Sequence, residues 1–233
     1  MKYIIHYGAM QLLGVFSHAD LVLQYGSRVI VKTPRGQEVG TVRYEATPNV
    51  LKKFDGGFVE GQILRVMTGT DENKYRRLQS AEQEKLESCR RIAQEMKVEM
   101  GLVQVEHIFG GEQIVIYYTA EGRIDFRELV KVLAAKFQTR VEMRQINIRE
   151  KMKLLSNLGD CGREVCCCYL RETPIISIKM AKLQRVTLDP AKIAGHCGRL
   201  KCCLRYEHDY YVEEQKKNTK KEKSLSGNVG ESM

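Results

Sequence analysis

The motif Cys-Gly-Arg-x-x-Cys-Cys occurs twice in this chain, at residues 161–167 and again at residues 197–203. When the two residues before each copy are included, six of the nine aligned positions are identical. Seven of the eight cysteines lie between residues 161 and 203. Thiols concentrated in two matched clusters indicate a shared partner, which is a metal ion, an iron–sulfur cluster or a disulfide framework.

The cellular compartment that we expect for this chain favours some of these partners over others. The chain has 233 residues and no apolar run long enough to span a membrane, and its N-terminus is too short and too polar for a secretory signal. We therefore expect a cytoplasmic protein without membrane insertion. Because cytoplasmic thiols stay reduced, the clustered cysteines are expected to bind metal or to do redox chemistry, and not to form structural disulfides.

The net charge of +9 is unevenly distributed. Residues 140–223 carry 19 Lys and Arg against 11 Asp and Glu, whereas residues 1–139 carry 19 against 17. The basic surplus therefore accompanies the cysteines. It has two interpretations: weak, non-specific contact with RNA through its phosphates, or compensation for the negative charge of several thiolates.

The first 58 residues are predicted to form a β-rich N-terminal subdomain. Residues 29–33 and 38–42 flank a Pro34-Arg35-Gly36 turn, which predicts a hairpin, and residues 12–16 add a further apolar segment. A small barrel-like sheet is the expected result. Asp55, Gly56 and Gly57 read as a linker to the next domain.

Residues 59–149 are predicted to form a ferredoxin-like βαββαβ module. The pattern predicts a strand at 63–67, a long helix opening at Asp71 and a hairpin around Gly110 and Gly111. An Asp125-x-x-Glu128 start resembling a capping box then opens a second helix, and residues 140–146 alternate as a last strand. The fold class is therefore α+β: barrel-like sheet, ferredoxin-like module, then an irregular and helical cysteine-rich segment.

The C-terminal part is predicted in two pieces. Residues 150–215 hold the double cysteine motif, together with a short helix that Asp189 caps and Pro190 begins. Residues 216–233 are polar and rich in lysine, so they cannot bury a core and are predicted to be a disordered basic tail.

Adjacent cysteines carry a geometric consequence. Neighbours on a strand point to opposite faces, and neighbours on a helix diverge by about 100°. We therefore expect the members of each adjacent pair to face different sites. The Cys-x4-Cys spacing departs from the usual zinc pattern and occurs in one class of iron–sulfur protein, although the rest of that pattern is absent. The candidate ligands are Cys161, Cys166, Cys167, Cys197, Cys202 and Cys203.

Other residues of the motif have supporting interpretations. Gly162 and Gly198 would let the backbone approach a metal closely, and Arg163 and Arg199 would stabilise neighbouring thiolates. Cys168 has no counterpart in the second copy, so it is either an additional ligand or a small buried hydrophobe. The isolated Cys89 falls on the apolar stripe of a helix and is predicted to lie in a core. No catalytic triad, phosphate-binding loop or dinucleotide fingerprint is present in the sequence, so we do not expect an enzyme of those kinds.

Several segments in this order resemble the YaaT (RicT) family of stage-zero sporulation proteins, which carry the polymerase-suppressor-protein C-terminal conserved region. The segments are residues 121–130, residues 140–146, and the two cysteine motifs with residues 177–182 between them. Cys168, which extends the first pair to a triplet, departs from the family pattern.

The resemblance implies a non-catalytic regulator in a cytoplasmic complex with two small helical partners, YlbF-like and YmcA-like. It implies 4Fe–4S clusters whose ligands are shared between subunits, with ligation carried over to the six cysteines of the two motifs. It further implies action with the endoribonuclease RNase Y in mRNA processing, and effects on sporulation, competence and biofilm formation.

Two rival functions stay open at this point. The first is a structural-zinc module that binds nucleic acid, which the basic C-terminal half supports. The second is a thiol redox or sulfur-transfer enzyme, which the arginines beside the cysteines support.

Overall fold

A computed structural model describes residues 1–51, 59–155, 158–168 and 175–227, with side chains described as far as residue 218. The chain divides into two compact units, Met1–Asn147 and Ile148–Met233. The division falls two residues before the predicted boundary at residue 149. The predicted linker of Asp55, Gly56 and Gly57 lies outside the described residues.

The N-terminal part of the first unit is a closed five-stranded barrel with the strand order β1-β2-β5-β3-β4. Its strands are β1 (Lys2–Tyr7), β2 (Leu12–Ser17), β3 (Arg28–Thr33), β4 (Gly36–Glu45) and β5 (Val59–Val66), and a short helix, α1 (Pro48–Leu51), follows β4. Alternate residues point inward, so Ile5, Phe16 and Val31 are buried in the barrel core. The predicted barrel-like sheet and the hairpin at Pro34 and Gly36 are confirmed.

Strand β5 corrects the predicted domain organisation. Residues 63–67 were expected to open the ferredoxin-like module, but β5 pairs in parallel with β2 and antiparallel with β3. The barrel therefore extends beyond residue 58. The physical reason is closure, because without β5 the strands β2 and β3 would expose unpaired edges. Gly61 makes this pairing possible, since a Cβ there would lie 2.4 Å from the backbone oxygen of Lys32.

The rest of the first unit is a three-stranded sheet with the order β6-β7-β8, covered by two helices. Its elements are α2 (Gly69–Glu95), β6 (Gly101–His107), β7 (Gln113–Thr119), α3 (Arg127–Phe137) and β8 (Arg140–Gln145). β6 and β7 form the predicted antiparallel hairpin, and β8 runs parallel to β7. Because β5 belongs to the barrel, these elements form αββαβ and not the predicted βαββαβ. Cys89 is fully buried in their core, as expected.

The two helices of this sheet begin differently. Thr68 caps α2 in a capping box, in which the Thr68 side chain accepts from the N–H of Asp71 and the Asp71 carboxylate accepts from the N–H of Thr68. At α3 the predicted capping box is wrong. The N-cap is Phe126, without a side-chain cap, and Asp125 instead accepts from the N–H of Arg127 at 3.1 Å.

A buried polar network joins the barrel to this sheet. Arg35, in the turn between β3 and β4, donates to Glu106 at 3.1 Å and to the hydroxyl of Tyr117 at 3.3 Å. Tyr117 in turn donates to Glu106 at 2.6 Å, and the backbone N–H of Ala9 does so at the same distance. Glu38 completes the pairing of Arg35. These contacts connect residues far apart in the chain, so they hold the two sheets as one unit.

The second unit is helical and irregular. Its helices are α4 (Ile148–Leu155), α5 (Ile178–Leu183), α6 (Pro190–Ile193) and α7 (Cys203–Gly227), and a single 3-10 turn spans Cys166–Cys168. Asp189 caps α6 and Pro190 begins it, as predicted. The predicted disordered tail is wrong for residues 216–227, which continue α7. Residues 228–233 lie outside the described part of the chain.

Candidate metal centre

Each copy of the cysteine motif folds into the same turn. In the first cysteine turn (residues 158–164), Leu158 and Glu164 form a β-bridge, and the N–H of Gly159 donates to the carbonyl of Arg163 at 2.7 Å. In the second cysteine turn (residues 194–200), Ala194 bridges Leu200, and Gly195 donates to Arg199 at 2.8 Å. The repeated sequence therefore encodes a repeated local structure. Cys161 and Cys197 sit at equivalent positions within it.

Glycine follows the first cysteine in both turns, and the backbone conformation at that position explains why. Gly162 has a φ of +75° and Gly198 a φ of +70°, in the left-handed region that glycine adopts at little cost. Each N–H donates back to the glycine three residues earlier, which closes the turn. A Cβ at either position would meet no described atom within 4 Å. Backbone conformation therefore favours glycine at both positions, and the expectation that these glycines let the backbone approach a metal stays a prediction.

Six cysteines line a single cavity of about 370 Å³ in the second unit. They are the six candidate ligands: Cys161, Cys166, Cys167, Cys197, Cys202 and Cys203. Cys168 follows Cys166 and Cys167 on the 3-10 turn but does not line this cavity. The structure thus brings together all six residues that the double motif singled out, and it separates the one whose role was ambiguous.

The two cysteine turns contact each other through residues at equivalent positions. Asp160 and His196 occupy the same offset in the two copies, and their side chains are 3.0 Å apart. Among the thiols, Cys202 interacts electrostatically with Cys166 and Cys167, and Cys203 interacts with Cys166. Equivalent residues that contact one another are typical of two motifs related by a local two-fold axis. The duplication therefore produces one shared cavity and not two separate ones.

Asp160 links the two turns. Besides its contact with His196, its carboxylate accepts from the ammonium of Lys201 at 2.6 Å. Lys201 is the main cause that lowers the pKa of the Asp160 carboxyl, and His196 lowers it further. Neither His196 nor Lys201 was predicted to pair with Asp160, because the sequence does not say which residues of the two copies meet.

Burial is the main cause of the raised pKa at three of the cavity thiols, Cys167, Cys202 and Cys203. It raises the pKa of Cys202 to about 11, and the neighbouring thiols Cys166 and Cys167 raise it further. The pKa values of Cys167 and Cys203 are raised for the same first reason. The guanidinium of Arg149 opposes the shift at Cys202 and Cys167. Arg149 lies on α4, outside both copies of the motif, so the sequence pattern did not single it out.

Adjacent cysteines were expected to face different sites, but both members of each pair line the same cavity, and only the second pair differs in exposure. Cys202 is buried, whereas Cys203, at the start of α7, is exposed. Across the described residues, no group of three or more Cys, His, Asp or Glu side chains converges closely enough to hold a single metal ion. All eight cysteines are free thiols. The donor chemistry therefore suits a soft metal, but the thiols surround a space instead of a point.

Known protein families match parts of the chain that correspond to these structural elements. The PSP1 C-terminal conserved region matches residues 61–146, from the closing strand of the barrel to the end of the β6-β7-β8 sheet, and the third domain of PSP1-like proteins matches residues 175–218. The fold and the cysteine-rich segment thus define a PSP1-type protein. The second cysteine turn lies within a matched region, and the first lies between the two regions.

The chain belongs to the family of the stage 0 sporulation protein YaaT. It is 42% identical to YaaT of Bacillus subtilis (strain 168) over 193 residues, which are 81% of this chain and 68% of that protein. It is also 25% identical over 161 residues to an uncharacterised protein of Schizosaccharomyces pombe, covering 58% of this chain and 22% of that protein. No solved structure matches the chain. In the described part of the chain, no helix has the length and apolar character to cross a membrane.

Proposed function

We propose that this protein is a non-catalytic regulatory adaptor that carries an iron–sulfur cluster on its double cysteine motif. The observation that carries the proposal is the single cavity lined by six thiols from two matched turns. Thiolate is the usual ligand of iron–sulfur clusters, and a 4Fe–4S cluster takes four cysteines. One cavity therefore offers more thiols than one cluster needs.

The size of the cavity favours a cluster over a single ion. A water molecule takes about 30 Å³ in the liquid, so a space of about 370 Å³ has room for a group of several atoms. A structural zinc site would instead need four ligands around one point, and no such group occurs among the described residues. The candidate ligands are the six cysteines that line the cavity, which form three pairs of equivalent positions: Cys161 and Cys197, Cys166 and Cys202, and Cys167 and Cys203.

The surplus of thiols bears on assembly. Cys161 and Cys203 are exposed, so a thiol or a metal site on another protein can reach them. We therefore propose that cluster ligation is shared with a partner subunit, with YlbF-like and YmcA-like helical proteins as the partners that the family resemblance implies. The complex would act in the cytoplasm with RNase Y on mRNA processing. Contact of this chain with RNA would be weak and non-specific.

The regulatory part of the proposal rests on the family. The Bacillus subtilis relative is named a stage 0 sporulation protein. By this likeness we propose a role in sporulation control and in the competence and biofilm programmes that accompany it. Catalysis forms no part of the proposal, because the sequence carries none of the signatures of the enzyme classes considered.

Cysteine substitution tests the proposal. We expect the double variant Cys161→Ala/Cys197→Ala, purified without oxygen, to lose most of the iron that the unmodified chain binds. The control is Cys89→Ala, in the core of the other unit, which should leave iron per chain unchanged. Equal iron in the unmodified chain and the double variant would exclude the two turns as the cluster site.

A further inference from the structure

A second cavity, of about 570 Å³, lies on the outer side of the second cysteine turn. We call it the outer groove. Its walls are mainly apolar, and its only charged lining residues among those described are two arginines, one on α4 and one in the turn. The residues that matter most are Arg149, Ile175, Ile176, Ile193, Arg199 and Leu200. A groove of this volume is within the usual range of binding sites.

Exposed apolar side chains are concentrated in the second unit, to which this groove belongs. Of the fifteen large apolar residues that are exposed in the described chain, eight lie at or beyond residue 155. Ile175, in the groove wall, is 90% exposed, more than any other of them. A concentration of exposed apolar surface with charged residues beside it is typical of a protein interaction site.

The charges of the groove select its occupant. Guanidinium groups pair best with carboxylates, which they can bind through two parallel hydrogen bonds, and Arg199 presents an exposed guanidinium side chain in the groove wall. A second copy of this chain is a poor candidate, because residues 140–223 carry a surplus of eight positive charges. RNA is a poor candidate as well, since none of the described residues that line the groove carries an aromatic ring on which a base could stack.

We propose that the outer groove binds an acidic segment of a partner protein. Branched apolar side chains of that segment pack on Ile175, Ile176 and Ile193, and a carboxylate of the segment pairs with Arg199. The site is distinct from the thiol cavity, and it binds this segment whether or not the thiols hold a cluster.

The groove and the thiol cavity share a wall. Leu200 lines both. Arg149 lines the groove and also acts electrostatically on Cys167 and Cys202. An occupant of the groove therefore touches the back of the turn that carries Cys197, so a partner held here stands next to the cluster that the proposed function requires.

A displayed library of random twelve-residue peptides, selected on the full chain, tests the proposal. We expect the enriched peptides to combine Asp or Glu with Leu, Ile or Val. Arg199→Glu should weaken their binding at least tenfold, and Ile175→Asp should do the same without disturbing the fold, because its side chain is exposed. The matched control is Arg163→Glu, which makes the same charge reversal at the equivalent offset of the first cysteine turn and should leave binding unchanged.

Three outcomes would overturn the proposal: no enrichment over the unselected library, equal binding to the unmodified chain and to Arg199→Glu, or displacement of the peptides by a short RNA oligonucleotide. Iron per chain is measured on the same variants. Loss of iron with intact peptide binding would separate a failure of the cluster site from a failure of the groove.

Discussion

Replacing the buried carboxylate of Glu106 with an amide should destabilise the first unit. Glu106 accepts from the hydroxyl of Tyr117 at 2.6 Å, from Arg35 at 3.1 Å and from the N–H of Ala9 at 2.6 Å. Its side chain is 9% exposed and that of Arg35 is 14% exposed, so water screens the pair very little. In Glu106→Gln, one amide oxygen cannot serve all three donors, and the charge partner of Arg35 is lost.

The magnitude follows from this geometry. Breaking a buried ion pair by removing one partner costs about 3–5 kcal/mol, and Arg35 keeps its second partner, Glu38. We therefore expect the lower end, a loss of about 3 kcal/mol in the free energy of unfolding. For a unit of this size, that corresponds to a fall in Tm of about 6–12 °C.

Urea unfolding followed by far-ultraviolet circular dichroism measures the change, since the chain has no tryptophan. The matched control is Glu142→Gln, whose carboxylate is exposed and accepts from Gln113 at 3.2 Å. This control should stay within about 0.5 kcal/mol of the unmodified chain. If Glu106→Gln were no more destabilising than Glu142→Gln, the network would not join the barrel to the second sheet.

Three further predictions concern other parts of the chain. Burial raises the pKa of Glu82 to about 7, so the stability that this group contributes is fully present below about pH 4.5 and is lost as the pH rises through 7. Glu82→Gln should therefore raise the free energy of unfolding by about 1–3 kcal/mol at pH 8.5 but not at pH 4.5. Equal effects at both pH values would refute this prediction. Thr68→Ala should cost about 1 kcal/mol in urea unfolding through loss of the α2 cap, and a change under 0.3 kcal/mol would contradict it. In a filter-binding assay, RNA should bind the chain weakly and lose affinity steeply between 50 and 200 mM salt, whereas tight, sequence-selective binding at 200 mM salt would favour the nucleic-acid rival.

Much of the fold could be predicted from local pattern. Alternation and turn residues predicted the hairpin at Pro34 and Gly36, and helical spacing predicted α2 and α3. The sheet to which β5 belongs could not be predicted, because an alternating strand carries no record of its neighbours. Gly61 was the available signal, but its close approach to β3 is visible only in the structure.

The C-terminal helix shows a different limit. The polarity of residues 216–227 predicts that they bury no apolar core, and the error was to infer disorder from it. Lysine and glutamate are good helix formers, so a helix that begins at Cys203 and packs against α5 can continue into a polar segment. A segment can therefore be helical without burying apolar side chains.

The candidate site was predictable in its ligands and not in its arrangement. Repetition of the motif singled out six cysteines, and they line one cavity. The contact between Asp160 and His196 depends on how the two turns meet, and Arg149 comes from a helix outside both. Such relations are set by tertiary packing, for which the spacing within one motif contains no information.

Metal and sulfide analysis of the full chain, purified from its host without oxygen, shows whether the double cysteine motif holds an iron–sulfur cluster. We expect a brown protein that contains iron and acid-labile sulfide in equal amounts, with a visible absorption band that air bleaches. A colourless protein that contains zinc and no sulfide would contradict it, and so would a protein with no metal and one hyper-reactive thiol.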